Sequence, residues 1–449
     1  MDGEFTGFVV VVLTAEHRGA PETDLRELAE RARLTELGAL LGELGRPPTA
    51  PLLGPERRAE AARLEDVAGV DRRGRRSLLL FWQVDVREIA LGPEQAARAL
   101  AVLPGVDIAY AEAGVVEGTA PGAEREQYTT GYLDRAPVGV GLDAVAGFRG
   151  GAGDGMHLVD VEQGWRFGHP ALAAAAPFLL TDPRRANRDG VAGWVGDHGT
   201  AVLTVLAAAG TANGVRGLLG AAGSLATASH YDVVAGRGRL VADAVVQAAN
   251  HLFDLGHGHV LLVEVELGAN GADLPAETAP AEYEAIRLAV DAGTVVVASA
   301  GNGQRDLDAW TGPDGRRLRR DHPADDSGSI LVGAAVPDVV DGGHCRRHDS
   351  NWGSRVDVHA WGRGIATATA ADYQADFGGT SGAAAVVAGV CAVLQAMRRE
   401  AHGAPLTPRE LRALISHPDL GTPQVEPGAH LRIGSMPDLE RLARAVGAR

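Results

Sequence analysis

Between Phe377 and Ala385 the chain reads Phe-Gly-Gly-Thr-Ser-Gly-Ala-Ala-Ala, a glycine-rich, strand-like approach that runs straight into an apolar helix. That helix is expected over Ala383–Met397, with Ala384, Val387, Ala388, Cys391, Leu394 and Gln395 recurring at helical spacing. Ser381 falls at its N-terminus, where unpaired backbone N–H groups and the positive end of the dipole favour a developing negative charge. A serine in that place is either a helix cap or a nucleophile.

From about Gly131 onward strand-like and helix-like runs alternate, which implies a mostly parallel sheet covered on both faces. Helices are expected over 239–255 and 281–292, and strands over 260–267, 294–300 and 330–332. Thr407-Pro-Arg-Glu410 reads as a capping box that starts a further helix. The first 118 residues follow a different order. A strand over Phe5–Leu13, one amphipathic helix over 25–44, a proline-rich loop over 45–54, a strand over 77–86, a helix over 93–103 and a strand over 106–111 make a small α+β unit. Three regions follow: 1–118 as the small α+β domain, 119–130 as linker and 131–449 as the α/β domain.

A serine nucleophile needs a histidine base, and the histidine a carboxylate to fix its tautomer. Asp160 ends the apolar run in Met156-His-Leu-Val-Asp160, and His198 precedes Gly199 at the start of a run of small and branched apolar residues. The run from Thr294 to Ser299 is a buried-strand pattern, and Ala300-Gly301-Asn302 then presents an amide able to donate to an oxyanion.

With these four segments in the order Asp160, His198, Asn302, Ser381, the chain resembles the subtilisin-like serine proteases, the subtilases. The resemblance runs from about Gly131 to about Leu439. It includes Asn213-Gly-Val-Arg-Gly217 and the run Leu261-Leu-Val-Glu-Val-Glu-Leu-Gly268, which looks like a substrate-lining strand. It implies a subtilisin-like α/β fold. It also implies a peptidase in which Ser381 attacks, His198 is base and then acid, Asp160 orients the imidazole, and Asn302 stabilises the oxyanion. Glu266, Leu267, Gly268, Ser299, Ala300 and Gly301 would line the substrate. Leu103 to Glu112 looks like the last turn and strand of a subtilase propeptide, so the first domain is expected to act as chaperone and inhibitor, with self-cleavage between Gly114 and Thr130.

Three departures stand out. Glu162-Gln163-Gly164 follows where a common subtilase has a small hydroxyl residue and then Gly, Ala385 stands in place of a proline, and Glu266 in place of a serine. A carboxylate at 266 would favour Arg or Lys in the substrate, unless strand alternation turns it away from the cleft. The rival reading is a silent subtilase-fold protein that binds peptides or serves as a scaffold. Within the enzyme class, the acyl group could pass to an amine in peptide processing or cyclisation.

Composition removes other classes. The formal net charge is −16, which argues against nucleic acid or an anionic membrane as partner. All 42 basic residues are arginine, which excludes P-loop, Schiff-base and Ser-x-x-Lys chemistry. Gly139-Val-Gly141 lacks the strand that a dinucleotide fingerprint requires, and Gly379-Thr-Ser381-Gly-Ala383 lacks the last glycine of a nucleophile elbow. Two cysteines make no disulfide framework. The apolar run Phe8–Leu13 is too short for a signal peptide, so a cytoplasmic protein is the expectation. No organic cofactor is required. The pairs Asp306/Asp308 and Asp325/Asp326 offer oxygen ligands for a structural Ca²⁺, whereas His251, His257 and His259 read as a solvated loop.

Overall fold

Runs of β-branched residues separated by glycine-bounded helices sort the described residues into a six-stranded and an eight-stranded sheet, with two further strand pairs. The computed structural model describes residues 5–69, 75–116, 130–186, 194–210, 214–219, 224–232, 241–269, 272–320, 322–369, 372–426, 428 and 430–449.

In the N-terminal region β1 is Phe5–Leu13, followed by α1 Leu25–Arg31, α2 Thr35–Glu43, β2 Thr49–Pro51, α3 Pro55–Ala68, β3 Phe81–Asp85, α4 Pro93–Ala101 and β4 Val106–Val116. The single helix expected over 25–44 is two helices, because Arg33 turns into the left-handed region at φ 60°. The proline-rich loop contains β2, which pairs only with β3, and an edge position tolerates its proline. Helix α3 has no apolar stripe clear enough to be read from sequence: it buries Ala61, Leu64, Glu65 and Ala68. The N-terminal strands pair antiparallel, β1 lying between β3 and β4.

In the second region the elements are α5 Leu142–Val145, β5 His157–Glu162, β6 Phe178–Leu179, α6 Trp194–Ala207, β7 Ser224–Ser229, α7 Val241–Leu255, β8 Val260–Val263, β9 Glu266–Ala269 and β10 Ala272–Pro275. They continue with α8 Pro280–Asp291, β11 Val295–Ser299, β12 Ile330–Val340, β13 Gly343–Arg346, β14 Val358–Trp361, β15 Ile365–Ala368, β16 Tyr373–Phe377, α9 Gly379–His402 and α10 Pro408–Ile415. Two short strands, β17 Gly421–Thr422 and β18 Met436–Pro437, and α11 Leu439–Ala445 close the chain. The eight-stranded sheet runs β13-β12-β11-β8-β5-β7-β6, with β14 also on β12, and every pairing except β12–β13 is parallel.

Helix α9 has the length and apolarity of a membrane span, yet from Thr380 to Met397 it is buried in the protein interior, and its last turn, through Glu400 and His402, is exposed. The capping box is present, Thr407 Oγ1 accepting from Glu410 N while Glu410 reaches back to Thr407 N. Cys391 is fully buried and burial pushes its thiol up; Cys345 lies buried on β13.

The run expected as one strand over 260–267 is broken. β8 belongs to the parallel sheet, whereas β9 leaves it to pair with β10 and β4. Gly114, Val115 and Val116 lie opposite Gly268, Leu267 and Glu266, so the N-terminal sheet is continued by two strands of the second region. Helices α7 and α8 pack between α3 and the parallel sheet, and one apolar core runs through both regions. Arginines join them: Arg63 donates to Asn250 and to Asp254, and Arg75 lies 3.0 Å from Asp291 with both side chains buried. Of the expected self-cleavage segment only Gly114–Val116 and Thr130 are described, so the expected linker apart from Thr130 lies outside the described residues.

Candidate active site

Ser381 is the third residue of α9 and sits in its first turn, among the N–H groups that lack intrahelical acceptors. The helix begins four residues before the expected Ala383, which puts the serine inside the turn. Gly379, at φ 71°, makes the sharp entry from β16 possible and brings the chain against Asn302. Only 6% of Ser381 is exposed.

His198 lies on the second turn of α6 and is buried edge-on against Phe377, ring centroids 5.6 Å apart. The next residue has to be glycine. A Cβ at Gly199 would meet Gly164 O at 2.4 Å and Trp165 Cδ1 at 2.7 Å, so only glycine lets α6 approach the turn after β5. That approach delivers the imidazole to a carboxylate, but the carboxylate is not Asp160. His198 Nδ1 is hydrogen-bonded to Glu162 Oε1, while Asp160 Oδ2 accepts from the Trp165 indole N–H at 2.7 Å.

The expected Asp160–His198 pairing is therefore corrected, and the reason is the geometry of β5. Residues 160 and 162 face the same side of the strand, about 6.6 Å apart along it. Asp160 sits in mid-sheet, fully buried between β7 and β8, and Glu162 is the last residue at the carboxyl edge. Burial and the neighbouring Glu162 hold the Asp160 carboxyl well above the usual carboxylate range, against the Trp165 hydrogen bond. A neutral acid suits that place. For His198, burial lowers the pKa, but the charge and hydrogen bond of Glu162, helped by Glu266, outweigh it and raise it above the ordinary imidazole value.

A further carboxyl group went unnoticed in the sequence. Glu264, in the break between β8 and β9, is buried, and burial with Glu162 and Asp160 nearby raises its pKa strongly. The Ser381 hydroxyl is close enough to oppose that rise, yet at the geometry present neither Glu264 oxygen completes a hydrogen bond.

Asn302 follows β11 on the loop through Gly301, and its amide is held at both ends. Oδ1 accepts from Thr380 N at 3.0 Å, and Nδ2 donates to Glu266 Oε1 at 2.5 Å. Glu266 also accepts from Thr380 Oγ1 at 3.0 Å and Asn302 N at 3.2 Å. Of the two orientations open to it, its side chain thus takes the one toward the Asn302 loop and not the one toward a substrate cation. Leu267 and Gly268 lie on the strand edge paired with β4, whereas Ser299 and Ala300 are fully buried and Gly301 N donates to Thr380 Oγ1 at 3.2 Å. Of the six expected lining residues, then, Leu267, Ser299 and Ala300 have their side chains in the interior. The Asn213–Gly217 turn begins outside the described residues.

The acidic loop pairs are engaged by the protein. Asp306 Oδ1 accepts from Asp308 N, Asp308 from Ser354, Asp325 from Arg317 and Arg319, and Asp326 from Arg412. Among the described residues no group of three or more His, Cys, Asp or Glu is arranged to hold a metal ion. His259 is buried, its ring edge-on to His157 at 4.7 Å, rather than solvated.

The subtilase family profile matches residues 181–434, more than half of the chain. A subtilisin-like protease of Coccidioides posadasii is 37% identical over 122 residues, which is 27% of this chain and 27% of that protein. Among solved structures, fervidolysin from Fervidobacterium pennivorans, a keratinolytic enzyme related to subtilisin, superposes with a TM-score of 0.56 at 18% identity. That match covers 99% of this chain and 62% of fervidolysin, so the chain spans less than two thirds of either relative. At that identity the likeness is one of fold.

Proposed function

Because the chain belongs to the subtilase family of serine peptidases, we propose that it is an endopeptidase working through Ser381, His198 and Glu162. The observation that carries this reading is the Glu162–His198 hydrogen bond beside a helix N-terminus that bears Ser381. Nδ1–H donation to a carboxylate leaves Nε2 as the proton acceptor, the tautomer a general base needs. His198 takes the Ser381 proton as the hydroxyl attacks the peptide carbonyl, and returns it to the departing amine. Water then repeats the cycle on the acyl-enzyme. Asn302 Nδ2 and the Ser381 backbone N–H are the donors for the oxyanion.

The substrate is an extended peptide that pairs with β9 in the place taken by Gly114–Val116. The support is the pairing of Gly114–Val116 with that edge by the chain's own N-terminal region. The same pairing supports the reading of that region as an intramolecular inhibitor and folding template. Residues from 130 onward expressed alone should fold poorly, and residues 1–116 added in trans should restore activity and then inhibit it. A truncated chain that folds and works unaided would make the N-terminal region an accessory domain. The reaction itself is tested by Ser381→Ala, which should abolish casein turnover and fluorophosphonate labelling while leaving the circular dichroism spectrum unchanged. Turnover within tenfold of the unmodified chain would remove Ser381 from the mechanism.

A further inference from the structure

The structure assigns to Glu266 the aiming of the Asn302 amide at the reaction centre, an inference that rests on the reading of Asn302 as oxyanion donor. Three donors converge on this one carboxyl group: Asn302 Nδ2 and Thr380 Oγ1 on Oε1, and Asn302 N on Oε2. Thr380 N meanwhile donates to Asn302 Oδ1. The amide cannot turn over without setting its oxygen against a carboxyl oxygen and its NH₂ against an N–H. One Nδ2 hydrogen is spent on Glu266, and the other stays fixed in direction for a substrate oxygen.

Placement explains why a glutamate can do this. Glu266 is the first residue of β9, whose next two residues present backbone to β4. The substrate-lining edge and the oxyanion donor are thus tied to one strand end. Thr380, beside Ser381, joins the same group to the first turn of α9. With both oxygens engaged inward and only 7% of the residue exposed, Glu266 is a positioning residue rather than a specificity residue.

Its charge should matter as well as its shape. An ionised carboxylate next to the oxyanion opposes the negative charge that forms there, and a neutral one does not. Burial and Asp273 on β10 push Glu266 up to about 7, while the hydrogen bonds from Thr380 and Asn302 and the field of His198 on α6 pull it down. Glu264 in the preceding break faces it as a further acid. Arg305 and Asp349 lie beyond Asp273, and Arg347 beside Gly379. In consequence kcat should fall above pH about 7 as Glu266 ionises.

The test is the pH dependence of kcat and KM on a chromogenic peptide for the full chain, Glu266→Gln and Glu266→Ala, each first titrated with a fluorophosphonate. Glu266→Ala should lose roughly 10- to 100-fold in kcat with KM within twofold. Glu266→Gln, which keeps an acceptor for Asn302 Nδ2, should stay within about threefold of the unmodified kcat at pH 6 and lack the descending limb near pH 7. Unchanged kcat in both variants, a loss confined to KM, or the same descending limb in Glu266→Gln would overturn the assignment. Failure of the unmodified chain to react with the fluorophosphonate, both intact and after limited proteolysis between 117 and 129, would instead overturn the serine mechanism beneath it.

Discussion

The two halves of the candidate site were written into the chain in different ways. The helix-borne half, His198 on α6 and Ser381 on α9, stands close to glycines that the backbone demands: Gly199 has Gly164 and Trp165 against it, and Gly379 turns at φ 71°. Such punctuation pins a side chain to one spot. The strand-borne half has none of this at the functional residue. On β5 a shift of two residues keeps the side chain on the same face and moves it about 6.6 Å, so residue type alone cannot choose between Asp160 and Glu162.

The largest way to break this comparison is at the base. His198→Ala should cost about 10⁴–10⁶ in kcat, because nucleophile, base and orienting group act as a unit. Peptide turnover within tenfold of the unmodified chain would put the base elsewhere. Asn302→Ala should cost less, roughly 10²–10³ in kcat with KM nearly unchanged, since one oxyanion donor is lost. A loss in KM alone would make Asn302 a substrate contact.

A pH profile sharpens the same point by a smaller effect. Glu162 stabilises the protonated imidazole and raises the His198 pKa, and the base works only when deprotonated. The ascending limb of kcat/KM should therefore lie above the ordinary histidine value of about 6.5, and fall back towards it in Glu162→Gln. An ascending limb that Glu162→Gln leaves in place would detach the two groups.

Much of the fold was legible because its signals are long and regular. The apolar helix after Ser381 is periodic over many residues, the capping box at Thr407 has a fixed spacing, and β1 and β11 are unbroken Val-rich runs. The break at Glu264 was not, since Leu261 to Leu267 reads as one continuous strand while the chain in fact changes sheets there. Helix α3 was missed because its charged residues obscure the stripe that buries Ala61 and Leu64.

The candidate site follows the same rule. A signal for Glu162 existed: Glu162-Gln163-Gly164 keeps a carboxylate two residues before the glycine of the turn, where the family's aspartate stands. Reading by spacing to Gly164 rather than by residue type finds it. Nothing comparable marked Glu264 or the inward turn of Glu266, because each depends on where β9 leaves the parallel sheet. Whether a strand side chain meets the cleft or the Asn302 loop is decided by pairing partners distant in sequence.

The central claim is that Glu162, and not Asp160, orients His198. The direct measurement is kcat for Glu162→Gln and Asp160→Asn side by side on one peptide, each with its folded fraction checked by circular dichroism. Glu162→Gln should lose about 10³–10⁴, as expected when the imidazole loses its carboxylate, and Asp160→Asn, which keeps an acceptor for the Trp165 indole, should stay within tenfold. The reverse order, with Asp160→Asn the more damaging in kcat at equal folded fraction, would contradict the account.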